Sequence, residues 1–265
     1  MSFIKRIINK LIRLLLSDSY FRLFLTYVRC FYFLKIKRVK VVEFSGAKNS
    51  ISANTIFSNK RRVVKDQSKH PHPTAKYLFG IDLAMRGGKS DWLLYPVRAI
   101  PYFSTKNKKI LTIGPRNESE IFNIMSHGFV RKNISGLDLF SYSPLIDVGD
   151  MHDMPFKSDS FDILLLGWVL AYSNNKSKAI SEIIRVAKNN AIISVGFSYS
   201  PHTNEEVVRK RGYLIGSEER VEDTDSMIKL FGDSIKYIYF RHDATTLSKE
   251  KHGQNILTFS INKFS

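Results

Sequence analysis

From residue 110 onward, short apolar runs alternate with amphipathic segments, and this alternation restricts the fold more than any other feature of the sequence. The run "FDILLLG" at 161–167 is almost wholly apolar, as a central parallel strand buried on both faces requires. Strands that alternate with helices predict a parallel, doubly wound α/β sheet. The predicted strands cover 109–114, 133–140, 145–150, 160–170, 190–198, 234–243 and 254–263, and the predicted helices cover 117–128, 175–189 and 217–232.

The positive charge is concentrated at the front of the chain. The formal net charge is +17, and residues 1–75 carry 16 Lys and Arg against 3 Asp and Glu, whereas residues 76–265 carry 25 against 21. This distribution argues against a nucleic-acid groove spread over the whole fold. We predict a basic amphipathic helical extension over 1–40, a linker or added hairpin over 41–75, and one α/β domain over 76–265.

The N-terminal stretch "FIKRIINKLIRLLLS" has helical periodicity, with apolar and basic residues on opposite faces. Arg22 and Arg29 interrupt the aromatic stretch that follows, so no run reaches the roughly 18 uncharged residues that span a bilayer, and a secretory signal is not expected. A basic amphipathic helix is typical of a membrane interface. Packing on its own domain, an RNA or protein partner, and a mitochondrial presequence remain alternative interpretations. The predicted location is therefore the cytoplasm, with attachment to a membrane surface, and an organelle is the alternative.

The segment "ILTIGPRNESE" at 110–120 has the layout of a nucleotide-binding turn with a single glycine. A short apolar strand leads into Gly114, and a helix follows in which Asn117 is the predicted cap and Glu120 completes a capping box. Gly128 is the predicted stop of this helix. Strand, glycine turn and helix together form the usual phosphate or dinucleotide cradle, which normally needs two or three glycines.

Two further segments carry a resemblance to a known family. "GDMHDMPFKSDSFDILLLGWVLAY" and "AISEIIRVAKNNAIISVGF" resemble the central motifs of class I S-adenosylmethionine-dependent methyltransferases, over about residues 108–200. The resemblance implies a Rossmann-like, seven-stranded doubly wound sheet of order 3-2-1-4-5-7-6 with its last strand antiparallel. It also implies S-adenosyl-L-methionine as cofactor, lying across the carboxyl ends of strands 1, 2 and 4.

The same resemblance assigns roles to individual residues. It implies that Asp138 accepts hydrogen bonds from the ribose hydroxyls, that Asp150 and Met151 bind adenine, and that Gly167 and Trp168 lie beside the sulfonium. On the acceptor side, Tyr172 and His202 are the candidate catalytic residues, with Tyr199 as a further substrate contact. His152 is interpreted as a residue that braces its turn or, alternatively, as a base. No metal site is predicted.

The first motif departs from the family pattern. Thr112 occupies the usual acidic position, and Arg116 and Glu118 replace the second and third glycines. Arg116 at a helix N-terminus suits the carboxylate of the cofactor's amino-acid end, and Glu118 or Glu120 suits its ammonium group. The alternative is a closed loop in which Arg116 pairs with one of these glutamates.

These features predict methyl transfer to the oxygen or nitrogen of a small-molecule, lipid or glycan acceptor, at a membrane surface. The N/D-P-P-Y/F motif of amino methyltransferases is absent where "GWVL" follows the fourth strand, which disfavours a nucleobase nitrogen. The alternative function is a catalytically inactive scaffold subunit of a large ribonucleoprotein or membrane assembly, anchored to RNA or protein by the basic extension.

Overall fold

The computed structural model describes residues 42–43, 89–101, 104–115, 118–141, 144–211 and 219–263. The predicted basic extension over 1–40 and most of the predicted linker over 41–75 lie outside these residues. Within the described part of the chain, no helix has both the length and the hydropathy needed to cross a membrane.

A seven-stranded mixed sheet forms the centre of the molecule. Its order is β5-β3-β2-β6-β7-β9-β8, with parallel pairing from β5 through β7 and with β9 antiparallel to both of its neighbours. In chain order this is 3-2-1-4-5-7-6, so the predicted fold class and strand order are confirmed. The strands are β2 (Ile110–Ile113), β3 (Ile134–Asp138), β5 (Ile146–Val148), β6 (Phe161–Gly167), β7 (Ala187–Tyr199), β8 (Ile235–His242) and β9 (Gly253–Ile261).

A separate two-stranded sheet connects the predicted linker to the domain. Strand β1 (Val42–Glu43) pairs antiparallel with β4 (Phe140–Ser141), which follows β3 almost directly. The only described part of the 41–75 segment therefore pairs with a strand of the α/β domain.

Helices pack on both faces of the large sheet, as a doubly wound fold requires. On one face, apolar residues of α1 (Lys89–Arg98) and α2 (Glu118–Ser126) form a core with those residues of β2, β6 and β7 whose side chains lie on that face of the sheet. On the other, α3 (Lys176–Val186) and α5 (Thr224–Phe231) form the larger core. Strand β6 contributes Ile163 and Leu165 to the first core and Leu164 and Leu166 to the second, which explains its apolar run.

The structure corrects three details of the predicted elements. The helix predicted over 217–232 begins at Thr224, because the Asp223 side chain accepts from the Ser226 N–H and caps it there. Helices α1 and α4 (Asn204–Arg211) were not predicted. Helix α1 contains Pro96, and α4 is short and mostly charged, so neither presents a clear apolar period.

Candidate functional site

Gly114, Asp138 and the turn at 150–153 lie at the carboxyl edge of the parallel strands. The turn after β2 starts at Gly114, whose φ of +74° favours glycine and whose N–H donates to Leu137 O at 2.7 Å. A Cβ at this position would overlap Cγ1 of Val169, from the segment after β6. Position 114 therefore requires glycine, because of its backbone conformation and because Val169 leaves no room for a side chain.

Asp138 ends β3 beside this glycine turn. Its residue is 4% exposed, and its carbonyl oxygen accepts from the N–H of Gly149 at 2.9 Å. The bond extends the β3–β5 pairing past the end of both strands, so the turn at 150–153 begins next to Asp138. A carboxylate with two acceptor oxygens at this edge suits a ligand that carries a pair of hydroxyls.

The turn after β5 is organised by Asp150 and His152. Asp150 Oδ1 accepts from the backbone N–H of His152 at 2.9 Å and lies 2.6 Å from its Nδ1 atom. The other ring nitrogen, Nε2, lies 2.7 Å from Oγ of Ser173, a fully buried residue just beyond β6. His152 thus braces its turn, as one of the two sequence interpretations predicted.

The surrounding hydrogen bonds determine the tautomer of His152. Ser173 Oγ accepts from the Asn175 N–H at 3.1 Å, so its own hydroxyl hydrogen is free to donate to Nε2 of His152. The neutral imidazole then carries its hydrogen on Nδ1 and donates it to Asp150. Asp150, His152 and Ser173 resemble the order of a nucleophilic triad, but the buried serine cannot reach a substrate, so the arrangement is structural.

Helix α3 holds the same turn from the other side. Glu182 accepts from the Met154 N–H at 2.8 Å, and Arg185 donates to the carbonyl oxygens of Phe156 and Met154 at 2.8 and 3.0 Å. Glu182 and Arg185 also bind each other. The hydrogen bond from Arg185 lowers the pKa of Glu182 despite its burial, and the same bond raises the pKa of Arg185. The pair remains ionised around neutral pH and fixes the turn.

One backbone donor of this turn has no acceptor among the described residues. Across the described residues, no hydrogen bond is formed by the N–H of Met151, which is partly exposed and follows Asp150 directly. An N–H without a partner, next to the carboxylate residue Asp150, suits a ligand atom with a lone pair, such as a purine nitrogen.

A sequence profile described as a methyltransferase domain matches residues 126–195. That range includes Asp138, the braced turn and β6, and the strand order of the whole sheet is that of the class I fold. Residues 126–195 thus match a methyltransferase domain, and the sheet that contains them has the class I methyltransferase fold.

Solved methyltransferase structures share the fold of this chain at low sequence identity. The putative methyltransferase of Haloferax volcanii, solved in complex with the Trm112 methyltransferase activator, is 12% identical with a TM-score of 0.52, over 69% of this chain and 93% of that chain. The CurJ carbon methyltransferase is 11% identical with a TM-score of 0.53, over 74% and 61%. No curated protein sequence matches the chain.

A third structure was solved with ligands. Phospholethanolamine N-methyltransferase 2 of Haemonchus contortus, in complex with phosphomonomethylethanolamine and S-adenosylhomocysteine, is 13% identical with a TM-score of 0.50, over 65% of this chain and 53% of that chain. Likeness at these identities shows the shared fold.

The donor set at this edge of the sheet fits the adenosine half of S-adenosylmethionine. The buried carboxylate of Asp138 suits the ribose hydroxyls, and the free N–H of Met151 suits the adenine ring. Asp150 was predicted to bind adenine through its carboxylate, and its Oδ1 atom is occupied by His152. Arg116, and the side chain of Glu118 at the start of α2, lie outside the described residues, so their predicted role at the methionine end stays a prediction.

The remaining predicted residues lie along the same edge but do not form one cluster. Gly167 ends β6, and the indole of Trp168 turns toward β7 and β9 rather than along the β2 side. Tyr172 lies in the short turn before Ser173, with no side-chain hydrogen bond to another described residue. Tyr199 donates its hydroxyl to Lys249 O at 2.7 Å.

His202 lies beyond the end of β7. Its Nδ1 atom is 3.6 Å from Glu206, and its ring packs edge-on against His252. Arg220 donates to the carbonyl oxygen of His202 and to that of Ser200. His202 is thus held in a polar cluster of its own at the β7 end of the edge.

Sequence reasoning missed the residues that hold the site together. Ser173, Glu182 and Arg185 received no role, although the three-residue spacing of Glu182 and Arg185 on one helix face was a usable signal. Trp92 and Gln254, which contact or adjoin Trp168, lie outside the recognised motifs, so no sequence signal indicated them.

Proposed function

We propose that this methyltransferase transfers a methyl group to the oxygen or nitrogen of a small-molecule, lipid or glycan acceptor at a membrane surface. The observation that carries the proposal is that two groups lie at the switch point of the sheet: the buried carboxylate of Asp138, and the N–H of Met151, which has no partner among the described residues. When bound there, S-adenosylmethionine supplies an electrophilic methyl group.

The protein's own residues bind and orient. Asp138 holds the ribose hydroxyls, and Met151 binds the adenine through its N–H while His152 and Glu182 keep its turn in place. Arg116 binds the carboxylate at the methionine end, with Glu118 toward the ammonium group. Among the described residues no group of three or more His, Cys, Asp or Glu is arranged to hold a metal. Rate enhancement from proximity and orientation is the simplest expectation for such a site.

The membrane part of the proposal depends on the basic extension. Residues 1–40 carry ten Lys and Arg against one acidic residue, Asp18, and their apolar and basic positions separate on a helix. Such a segment binds an anionic lipid surface through both headgroup charge and apolar burial, and it brings the α/β domain to acceptors held in or near the membrane.

Calorimetric titration of the full chain with S-adenosylhomocysteine tests the central claim. Saturable binding with one site per chain supports the enzyme. If no heat and no increase in melting temperature accompany the ligand, the scaffold alternative replaces it, because a scaffold needs no cofactor. Co-sedimentation with vesicles that contain anionic lipid tests the surface separately.

A further inference from the structure

A second cleft opens beside the candidate cofactor site, on the face that carries α1. Its volume is about 280 Å³, and it is lined by Trp92, His242, Gln254 and Ile256. In the sheet, Gln254 pairs with Ser198, and Ile256 pairs with both Gly196 and His242. The cleft therefore lies over β7, β9 and β8, near the carboxyl end of β7.

Trp168 joins this cleft to the end of β6. Its φ is +62°, and its indole lies over Gly196, where a Cβ would come within 2.9 Å of the ring carbons. The indole Nε1–H donates to Gln254 Oε1 at 2.6 Å, and the ring meets Trp92 edge-on with centroids 6.0 Å apart. Because Trp168 directly follows Gly167, the cleft adjoins the place where the methyl group is expected.

The orientation of the Gln254 amide follows from its partners. Oε1 accepts from Trp168 Nε1, which can only donate, and from Ser198 Oγ at 3.0 Å. Its Nε2 group is therefore the donor end of the amide, and within the described residues it donates to no acceptor. A ligand in the cleft meets this donor, so it needs an oxygen or another lone pair at that position.

The remaining walls restrict the ligand further. Trp92 and Ile256 offer apolar surface, with Trp92 40% exposed and Ile256 buried. Among the described residues, the lining contains no carboxylate to neutralise a cation and no Lys or Arg to bind an anion. The volume lies at the lower end for ligand pockets, which suits one ring rather than a lipid or a glycan. His242, exposed at the rim, offers an imidazole that can accept a proton.

We infer that the cleft binds the methyl acceptor, and that this acceptor is a small, neutral aromatic alcohol of the phenol class. The inference rests on the proposed methyl transfer. The phenolic oxygen accepts from Gln254 Nε2 while its ring lies against Trp92. In the transfer, the new O–CH₃ bond forms as the S–CH₃ bond breaks, and the phenolic proton passes to His242 and then to water.

The two tryptophans of the chain, Trp92 and Trp168, both lie at the cleft, so intrinsic fluorescence reports on it directly. The full-length protein is titrated with phenol, and with benzylamine as a cation of similar size, with excitation at a wavelength that phenol does not absorb. Saturable quenching by phenol, with weaker or no saturation by benzylamine, is expected. Linear, collisional quenching by phenol, or tighter binding of benzylamine, overturns the inference.

Two variants test the named contacts. Gln254→Leu, which removes the donor at similar volume, is expected to raise the phenol Kd about three- to tenfold. Trp92→Ala removes an exposed wall and is expected to weaken binding even if Gln254→Leu fails to fold. Tyr95→Ala is the matched control, because Tyr95 is 59% exposed on the same helix and does not line the cleft. Equal phenol binding by the wild type and the folded cleft variants overturns the inference.

The same samples are titrated with S-adenosylhomocysteine. Binding of this ligand without saturable phenol binding leaves the proposed methyl transfer standing and rejects the phenol cleft. Binding of phenol by a protein that does not bind S-adenosylhomocysteine rejects the acceptor role of the cleft, because the proposed transfer then fails.

Discussion

The imidazole of His152 and the hydroxyl of Ser173 meet across 2.7 Å, and this contact joins the turn after β5 to the segment after β6. The turn after β5 presents the Met151 N–H, and the segment after β6 contains Val169, which packs on Gly114. One buried hydrogen bond thus connects the two segments that flank the candidate cofactor site.

Replacing Ser173 by alanine should loosen this connection. The change leaves His152 Nε2 and the Asn175 N–H without their partner, so the unfolding free energy should fall by about 1–3 kcal/mol. Chemical denaturation measures the fall, and calorimetry should show weaker S-adenosylhomocysteine binding. Ser181→Ala is the control, because Ser181 bonds only within its own helix and is exposed. Equal stability of the two variants would contradict the bracing role.

Asp138→Asn should weaken S-adenosylhomocysteine binding by about 1–3 kcal/mol, because an amide accepts fewer hydrogen bonds from a ribose diol than a carboxylate does. Asp233→Asn, at an exposed turn before β8, should leave the affinity unchanged. Phenol quenching of tryptophan fluorescence should be the same in both variants, since neither residue lines the cleft. Unchanged cofactor affinity in Asp138→Asn would place the ribose contact elsewhere.

The stability of the domain should depend on pH through Asp243. Burial favours its neutral form, but hydrogen bonds from Thr224 and Thr245 outweigh it and lower the pKa of Asp243 to about 2. An unfolded aspartate titrates near pH ~4, so the ionised residue stabilises the fold above that pH, and the contribution is lost as pH falls from about 4 to about 2.

Asp243→Asn should therefore destabilise the protein at neutral pH, and its deficit should shrink by about 2 kcal/mol between pH 5 and pH 2. Denaturation curves recorded across that range measure the change. Asp225→Asn, which alters an exposed pair with Arg241, serves as control and should show a much smaller dependence. A constant deficit for Asp243→Asn would mean that the carboxylate is not ionised preferentially in the fold.

Arg116→Ala should weaken S-adenosylhomocysteine binding by about 1.5–3 kcal/mol, the typical contribution of a charge-assisted hydrogen bond. An analogue without the carboxylate should bind the wild type poorly and lose little further affinity in the variant, since both changes remove one pair. Lys132→Ala, an exposed substitution in the turn before β3, is the control. Additive losses would show that Arg116 does not contact the carboxylate.

Removal of residues 1–40 should abolish binding to anionic vesicles at low salt and leave the domain folded. The removed segment carries a balance of +9, ten Lys and Arg against Asp18, at about 1 kcal/mol for each basic residue near the surface. Vesicle co-sedimentation measures binding, and circular dichroism checks the fold. Continued sedimentation of the shortened protein would reject the membrane role, and binding of the full chain to RNA alone would favour the scaffold.

The order of the large sheet was implied by the family resemblance, whereas its strands and helices were predicted from strong local signals. Strand β6 is buried on both faces and reads as an apolar run, and the capping residue Asn175 and the stop glycine Gly128 mark helix ends. Helix α1 was missed since its apolar residues form one run at 92–95 rather than a helical period and Pro96 lies inside it, yet Leu93, Leu94 and Val97 are almost fully buried. Their burial depends on the sheet that they meet, which local sequence does not encode.

The candidate site also has a part that could be predicted from the sequence and a part that could not. The roles of Asp138 and Met151 were implied by the family resemblance, and both residues lie where parallel strands end, Asp138 at the end of β3 and Met151 three residues beyond β5. The residues that orient the site could not be predicted. Ser173 contacts His152 from 21 positions away, and Gln254 reaches Trp168 from 86 positions away. Such contacts depend on the packed arrangement of three or more elements, and no short motif records them.

Strand β9 is inserted between β7 and β8, antiparallel to both, although it follows them in the chain. During synthesis, β7 and β8 therefore leave the ribosome before the strand that pairs with both of them, and β8 lacks this partner until residues 253–261 emerge. Until then the edge of β7 that β9 later covers also stays unpaired, and an open strand edge of this kind can pair with other chains.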